Sequence, residues 1–370
     1  MSDLTLRIDG FNVSGWTSIQ VVRSLDAIAD TFDLALTTRL SSTPPPVEIE
    51  EGGACEVFYG EELVLSGYID RVDLSYNATS TTLGVSGRSK AGDLVDCSAV
   101  RPGKLTAGSW KQTPVLRIAE DLCDPFGIAV KSDVGELPKE RFFKLQEGET
   151  VFAALARLAK DYGLRVVSSS DGTIRFTRTG VLTYSDVAIQ NGVNVIAGGL
   201  TRDASERFSD YLFKGQLSPT DEVPQTSCNT AHTAHDDGVT RYRPILIESD
   251  EQVRDHLGQF TGGKAKKPLQ LRAEWERNTR AGKSKQLSYE VCDPDDLSLS
   301  WEMGRYGLWE PNVIVSVKDD FLGIDGQYLV TSVTLVRDDN GTRTSLALTA
   351  PEAYEVQYPP KKKAKKGTAW

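Results

Sequence analysis

The densest gathering of chemically capable side chains is Cys228-Asn229-Thr230-Ala231-His232-Thr233-Ala234-His235-Asp236-Asp237. It joins two of the chain's three histidines to a thiol and two carboxylates, the donor types that zinc takes. Cys228, His232 and His235 are therefore the metal-ligand candidates, and a zinc-bound water there would point to hydrolysis. Hydrolysis also needs a water-activating base and a cleft, and the spacing fits no established zinc pattern. A polar surface loop explains the same residues, so the expectation is no metal, no cofactor and no catalytic group. Asp293, Asp295 and Asp296 could suggest the paired carboxylates of glycoside cleavage, but beside Pro294 they read as a turn, as do Asp319 and Asp320. Gly84-x-x-Gly87 lacks a following helix, and no nucleophile elbow, phosphate loop or dinucleotide turn is present.

Arg272, Arg277 and Arg280 with Trp275 resemble a nucleic-acid patch with an aromatic ring for stacking. Glu274 and Glu276 lie between them, which favours a salt-bridged helix surface or a subunit interface. The net charge of −10 argues against broad nucleic-acid binding. Cys55, Cys97, Cys123, Cys228 and Cys292 are odd in number, widely spaced and free of any CxxC, so buried reduced thiols are expected and a disulfide framework is not.

The elements that would position these groups are mostly strands. At 370 residues the chain has room for about two to four domains. A hydrophobic content of 39% and charged content of 25% are those of a globular protein. No apolar run reaches the ~18 residues of a spanning helix. Met1-Ser2-Asp3 starts neither a basic nor an apolar leader, so residence in a cytoplasm, or export by a route that reads no N-terminal signal, is expected. Leu4, Leu6 and Ile8 alternate, as do Ile19 and Val21, then Phe32, Leu34 and Leu36, the period of strands. Ser41-Ser42-Thr43-Pro44-Pro45-Pro46 is a stiff loop that a sheet interior excludes.

Between about residues 97 and 178 the pattern turns to mixed α and β. Thr113-Pro114 reads as an N-cap and first-turn proline, with Val115, Ile118, Ala119 and Leu122 on one helical face before Gly127. Thr150 caps a second helix whose face is Phe152, Leu155, Ala159 and Tyr162 and which ends at Gly163. Residues 164–167, a turn at Asp171-Gly172, and Ile174 with Phe176 form a hairpin. Strands return over residues 191–216, with Tyr211 and Phe213 among them, followed by a long polar loop over 217–241. Helices are expected at Val253, His256, Leu257 and Phe260 and over residues 269–281, and alternation resumes at Leu287, Tyr289 and Val291. Pro359-Pro360-Lys361-Lys362-Lys363-Ala364-Lys365-Lys366 is a flexible basic end.

One β pattern occurs twice, in residues 56–87 and 313–350. Val57 and Tyr59, an acidic turn, Gly67-Tyr68-Ile69, Val72 and Leu74, then Leu83 and Val85 make the first copy. Val313, Val315 and Val317, an acidic loop, Gly326, Tyr328-Leu329, Val333 and Leu335, then Leu346 and Leu348 make the second. Period-two spacing split by Gly, Asn and Asp turns marks antiparallel strands. Three such chains in a ring would present six near-equivalent modules, able to join a three-fold object to a six-fold one.

The run Gly84-Val85-Ser86-Gly87-Arg88-Ser89-Lys90-Ala91-Gly92-Asp93-Leu94-Val95-Asp96-Cys97-Ser98-Ala99 resembles the signature of baseplate hub proteins of contractile-tailed, Mu-like phages. Gly148-Glu149-Thr150-Val151-Phe152, Trp275-Glu276-Arg277 with Arg280, and Leu308-Trp309-Glu310-Pro311-Asn312 match it further, in order, and the resemblance runs to about residue 353. It implies an α+β, mainly β fold with two similar β-barrel tube modules, an α+β domain and an inserted α-containing domain, arranged as a pseudo-six-fold ring in a homotrimer. The corresponding division is residues 1–96 for the first module, 97–186 for the α+β domain, 187–216 with 285–353 for the second module, 217–284 for the insertion and 354–370 for the basic end. It implies a structural, non-enzymatic hub that adapts the six-fold tail tube to the three-fold spike and leaves a lumen for DNA. Expected partners are the central spike, the tube or distal tube protein and other baseplate proteins, with DNA only in passage and no membrane insertion. The location implied is the virion tail, assembled in the host cytoplasm. Arg88, Asp93, Arg272, Trp275, Arg277, Arg280 and Trp309 are the interface candidates, and the basic end is expected to dock on another tail protein. The competing readings are a tail-associated cell-wall hydrolase built on Cys228, His232 and His235, and the hub of a contractile injection device.

Overall fold

The computed structural model describes residues 4–8, 10–39, 49–100, 108–216, 229–249, 266–292, 301–303 and 307–354. Seven strands come first: β1 (Leu4–Ile8), β2 (Phe11–Val13), β3 (Ser18–Ser24), β4 (Thr31–Arg39), β5 (Ala54–Tyr59), β6 (Glu62–Tyr76) and β7 (Ser80–Ser89). Their alternation sends Leu4, Leu6, Ile19, Val21, Phe32 and Val57 to one buried face. The lateral order is β2-β1-β5-β6-β7-β4-β3. Gly60 turns β5 into β6 with φ of 60°, and the Asn77 side chain accepts the N–H groups of Thr79 and Ser80, both at 2.9 Å, to turn β6 into β7. Gly87 lets β6 and β4 close on β7: a Cβ there would lie 2.1 Å from the Tyr68 carbonyl and 2.7 Å from Phe32.

A compact α+β unit follows, with α1 (Ala91–Asp96), β8 (Ser109–Pro114), α2 (Val115–Cys123), β9 (Val130–Ser132), β10 (Lys139–Lys144), α3 (Val151–Asp161), β11 (Arg165–Ser168) and β12 (Ile174–Thr177). The Thr150 hydroxyl accepts the Ala153 N–H at 3.2 Å, so the expected cap of α3 is present. Thr113 does not cap α2. It lies in β8, and Pro114, which has no N–H to satisfy, stands at the cap position instead. The buried face of α3 is Val151, Ala154, Leu155, Leu158 and Ala159, with Phe152 and Tyr162 at its margin. These side chains and Val115, Ile118 and Leu122 form a core separate from that of the strands, joined by Ile28 from the β3–β4 connection.

The remaining elements are β13 (Leu182–Gln190), β14 (Val195–Arg202), β15 (Asp210–Gln216), β16 (Asn229–His235), β17 (Pro244–Ser249), α4 (Lys266–Lys283), β18 (Lys285–Val291), β19 (Val313–Asp319), β20 (Ile324–Asp338) and β21 (Gly341–Thr349). Six of them run β13-β19-β20-β21-β18-β14, and β3 pairs with β20 to make one 13-stranded sheet of both halves. β15, β16 and β17 form their own small sheet under α4. Tyr211 and Phe213 were expected in the second tube module but bury against Ala273 of α4, because alternation assigns a face and leaves the partner open. Likewise β13 begins at Leu182, inside the span expected for the α+β domain, and Tyr354, expected in the flexible end, is buried, with its hydroxyl 2.6 Å from Asp26. Part of the expected polar loop is β16, and the helix expected around Val253 to Phe260 lies outside the described residues.

Among the described residues no strand pair closes either half into the expected barrel. In the first half β3 gives its second edge to β20 of the other half, and in the second half the outer edge of β14 has no strand partner among the described residues. A short segment stitches the halves together. The Trp301 indole donates to the carbonyls of Val336 and Arg343, both at 3.1 Å, while its ring lies 4.9 Å from that of Tyr59 on β5. The Leu308 N–H reaches Glu62 at 3.4 Å.

Candidate functional site

The strand alternation of β16 decides the histidine group. His232 and Ala234 share the face turned toward α4, and His235 with Thr233 faces away, so the two imidazoles do not converge. His235 is exposed and bonds Asp210 at 3.0 Å, a contact that raises its affinity for a proton. Asp236 is buried and held by Arg207 through two bonds of 2.7 and 2.8 Å. Cys228, the third candidate ligand, lies outside the described residues, and no group of three His, Cys, Asp or Glu side chains with metal-binding geometry occurs among those described. Asp293, Asp295 and Asp296 also lie outside them. Asp319 does hold a turn, accepting the Leu322 N–H at 2.9 Å, and it takes the Tyr289 hydroxyl at 3.1 Å.

The arginines of α4 serve the helix's own seat. Arg280 bonds Glu276 at 2.7 Å and Glu206 at 2.9 Å and lies over the Phe208 ring, and Arg277 reaches the His235 carbonyl at 3.3 Å. Arg272 lies 5.7 Å from the Trp275 ring centre on the same helix. Trp309, expected at an interface, is instead 4% exposed and packs in the main core, where its backbone N–H donates to the Trp301 carbonyl. Arg88 and Asp93 are better placed. Arg88 is part-exposed and bridges Asp70 on β6 and Asp96 on α1 at 2.7 and 2.8 Å, with Asp93 beside them. Of the thiols, Cys55 and Cys123 are buried, which pushes both up to about 12, whereas Cys97 is exposed.

Sequence reasoning missed the polar lock beside the β3–β20 seam that joins the two halves. Arg23 is buried, bonding Asp30 at 3.3 Å and Glu310 at 3.1 Å. Burial opposes its charge, but the two carboxylates outweigh burial and hold the guanidinium above its usual range. Burial wins at Asp30, whose carboxyl is pushed up to about 6 despite Arg23. The signal was in the sequence, since Arg23 continues the alternation of Ile19 and Val21 and so had to face inward.

The pairings make the internal duplication exact in strand order. The series β1-β5-β6-β7-β4-β3 corresponds to β13-β19-β20-β21-β18-β14. β6 and β20 both have 15 residues, and each carries a register shift against its hairpin partner, between Ile69 and Arg71 and between Val330 and Ser332. These shifts equate Arg71 with Ser332 and Leu74 with Leu335. Gly67 then corresponds to Tyr328, so matching Gly67 to Gly326 by sequence was two residues out of step.

Comparison with known proteins agrees with this layout. The family model for the N-terminal part of the Mu phage baseplate assembly protein GpP-like group matches residues 3–89, that for the second domain of baseplate hub protein gp44-like proteins matches 91–178, and that for the fourth domain of Mu phage GpP matches 265–357. The baseplate hub protein gp44 of Escherichia phage Mu is 30% identical over 98% of this chain and 92% of its own length. The chain belongs to the Mu-like baseplate hub family. Its function is that of a structural hub protein of the phage tail baseplate. The 43 kDa tail protein of prophage MuSo2 from Shewanella oneidensis superposes with a TM-score of 0.80 at 30% identity, covering 96% of this chain and 100% of that one. A tail protein from Neisseria meningitidis MC58 gives 0.75 at 24% identity over 96% and 99%, a likeness of fold. The first two matched regions meet where β7 gives way to α1. The hydrolase reading is not favoured by these relatives.

Proposed function

We propose that three copies of this hub close head to tail into a ring of six half-sheets, each half serving as one tube module. The ring mates with a six-fold tail tube on one face and a three-fold spike on the other, and its lumen passes DNA. The observation that carries this reading is the repeated six-strand order, because two like modules per chain turn three-fold symmetry into near six-fold symmetry. Differences between the halves, such as the parallel β13–β19 pair where the first half has the antiparallel β1–β5 pair, give three-fold partners something to distinguish. A charge of −10 on each chain, about three times that on the ring, keeps DNA from adhering in transit. The mechanism is geometric and needs no catalytic group. Assembly takes place in the host cytoplasm, beside the spike, the tube or distal tube protein and other baseplate proteins, without insertion into a membrane by this chain.

Negative-stain electron microscopy of the purified chain, classed for end-on views, tests the reading. Six-lobed rings are expected. Compact particles without a ring, both alone and after co-expression with the spike protein, would refute it.

A further inference from the structure

One seam joins the two halves within the chain, and the duplication supplies the parts of a second. On one edge β20 pairs with β21. On its other edge it pairs first with β19 over residues 324–329 and then with β3 over residues 332–337. β6 has the same length and the same neighbours, with β7 on one edge and β5 over residues 62–68 on the other. Beyond β5, where β20 receives β3, residues 71–76 of β6 keep β7 on one edge and have no strand partner on the other among the described residues. β14 is the counterpart of β3. It pairs with β18 alone, and its second edge is open among the described residues.

Exposure shows which side chains await cover. At the seam Val333 and Leu335 are fully buried, whereas Leu74, in the place of Leu335, is 63% exposed and Tyr76 is 81% exposed. An open edge that carries apolar side chains is a template for another strand. We infer that β14 of one copy adds antiparallel to residues 71–76 of β6 in the next copy, repeating between chains the β3–β20 seam within each. This deepens the ring reading above and rests on it.

The intrachain ladders specify the register. The cross-strand row Val21, Phe32, Gly87, Ile69 in the first half corresponds to Leu200, Leu287, Leu348, Val330 in the second. Leu200 therefore stands for Val21, as Leu74 stands for Leu335. Since Val21 faces Leu335 and Ser24 faces Ser332, the interchain ladder sets Leu200 opposite Leu74 and Asp203 opposite Arg71. It also sets Arg202 opposite Val72, as Arg23 faces Val333, and Gly198 opposite Tyr76. The pairs include leucine on leucine and carboxylate on guanidinium, which are chemically compatible. A head-to-tail contact of this kind can close into a ring because the two edges differ.

The test uses the full chain carrying Leu74→Cys and Leu200→Cys, first sized by sedimentation velocity and then treated with a short bifunctional thiol reagent. The expected result is loss of the monomer band to a ladder that ends at one closed covalent oligomer. Each single variant, and the Phe11→Cys with Leu200→Cys control, should show no band beyond those of the parent. An oligomer by sedimentation that does not cross-link at these positions overturns the β14–β6 pairing and leaves the ring reading standing. A chain that stays monomeric and does not cross-link, both alone at every concentration and after co-expression with the spike protein, overturns both. Because Leu74 lies on the surface, its substitution spares the core.

Discussion

Replacing Arg23 with methionine, Arg23→Met, tests whether the seam depends on its buried ion pair. Asp30 would lose its cation while only 4% exposed, whereas Glu310, 47% exposed at its side chain, could turn to water. Removing one member of a buried pair costs about 3–5 kcal/mol. The structure places the loss near the lower end, because the Asp30 carboxyl already sits at about 6 and can take up a proton. One pKa unit corresponds to about 1.4 kcal/mol, so protonating it at pH 7 costs roughly that much or less once Arg23 is gone and the carboxyl rises further. The sign of the pH dependence follows. A carboxyl raised in the folded state contributes stability that is fully present below its ordinary value of 3.8 and is lost as pH rises through about 6. Without Arg23 that loss extends to higher pH, so the gap between variant and parent opens above about pH 6 and should be larger at about pH 8 than at about pH 4. Urea unfolding followed by tryptophan fluorescence measures it, with Trp301 beside the seam as one reporter. Adding Asp30→Leu should restore most of the loss, since apolar replacement of both members is close to neutral. A single variant within about 1 kcal/mol of the parent at both pH values, or a double variant no better than the single, would refute the reasoning.

Gly87→Ala should yield little soluble protein, because its Cβ would lie 2.1 Å from a β6 carbonyl, while Gly84→Ala, whose nearest neighbour would be 3.5 Å away, should change the melting temperature little. Expression yield and thermal unfolding compare the two. Trp301→Phe removes the donor shared by the Val336 and Arg343 carbonyls and should destabilise by about 1–3 kcal/mol in urea titration, with an unchanged midpoint counting against that role. The opposed faces of His232 and His235 predict that dialysed protein holds no stoichiometric zinc and that His232→Ala leaves metal content unchanged. Elemental analysis that finds one zinc per chain, lost on that substitution, would reinstate the metal reading.

The seam also explains why two modules appear as one sheet. A strand of 15 residues spans roughly 50 Å, long enough for one edge of β20 to hold β19 and β3 in succession. The first half has an equally long strand with half of that edge unfilled. The excess length of β6 and β20 relative to their hairpin neighbours is thus the feature through which the modules are joined.

Much of this was legible in the residues. Alternation at Leu4, Leu6 and Ile8, at Ile19 and Val21 and at Val313, Val315 and Val317 identified strands and their buried faces, and Thr150 identified the start of α3. The resemblance around residues 84–99 identified the family. Trp309, expected at an interface, is enclosed instead by the approach of Trp301 and the strand core, which no local spacing signals. Of the α4 arginines, Arg280 pairs with Glu276 one turn away, as local spacing suggests, but its other partner, Glu206, is 74 residues away and no local spacing signals it.

By itself the sequence determined the two-fold recurrence of the β pattern, the faces of its strands, many of its turns and the family of the protein, because these depend on spacings of a few residues. The tertiary structure alone decided which strand lies beside which. It sent β15 to the small sheet, β3 to β20 and the two histidines of β16 to opposite faces, and it shifted the register of the duplication from its glycines to its bulges. Period-two alternation specifies a side of a sheet and is silent about the neighbour, whose choice rests on side chains brought together from hundreds of residues apart.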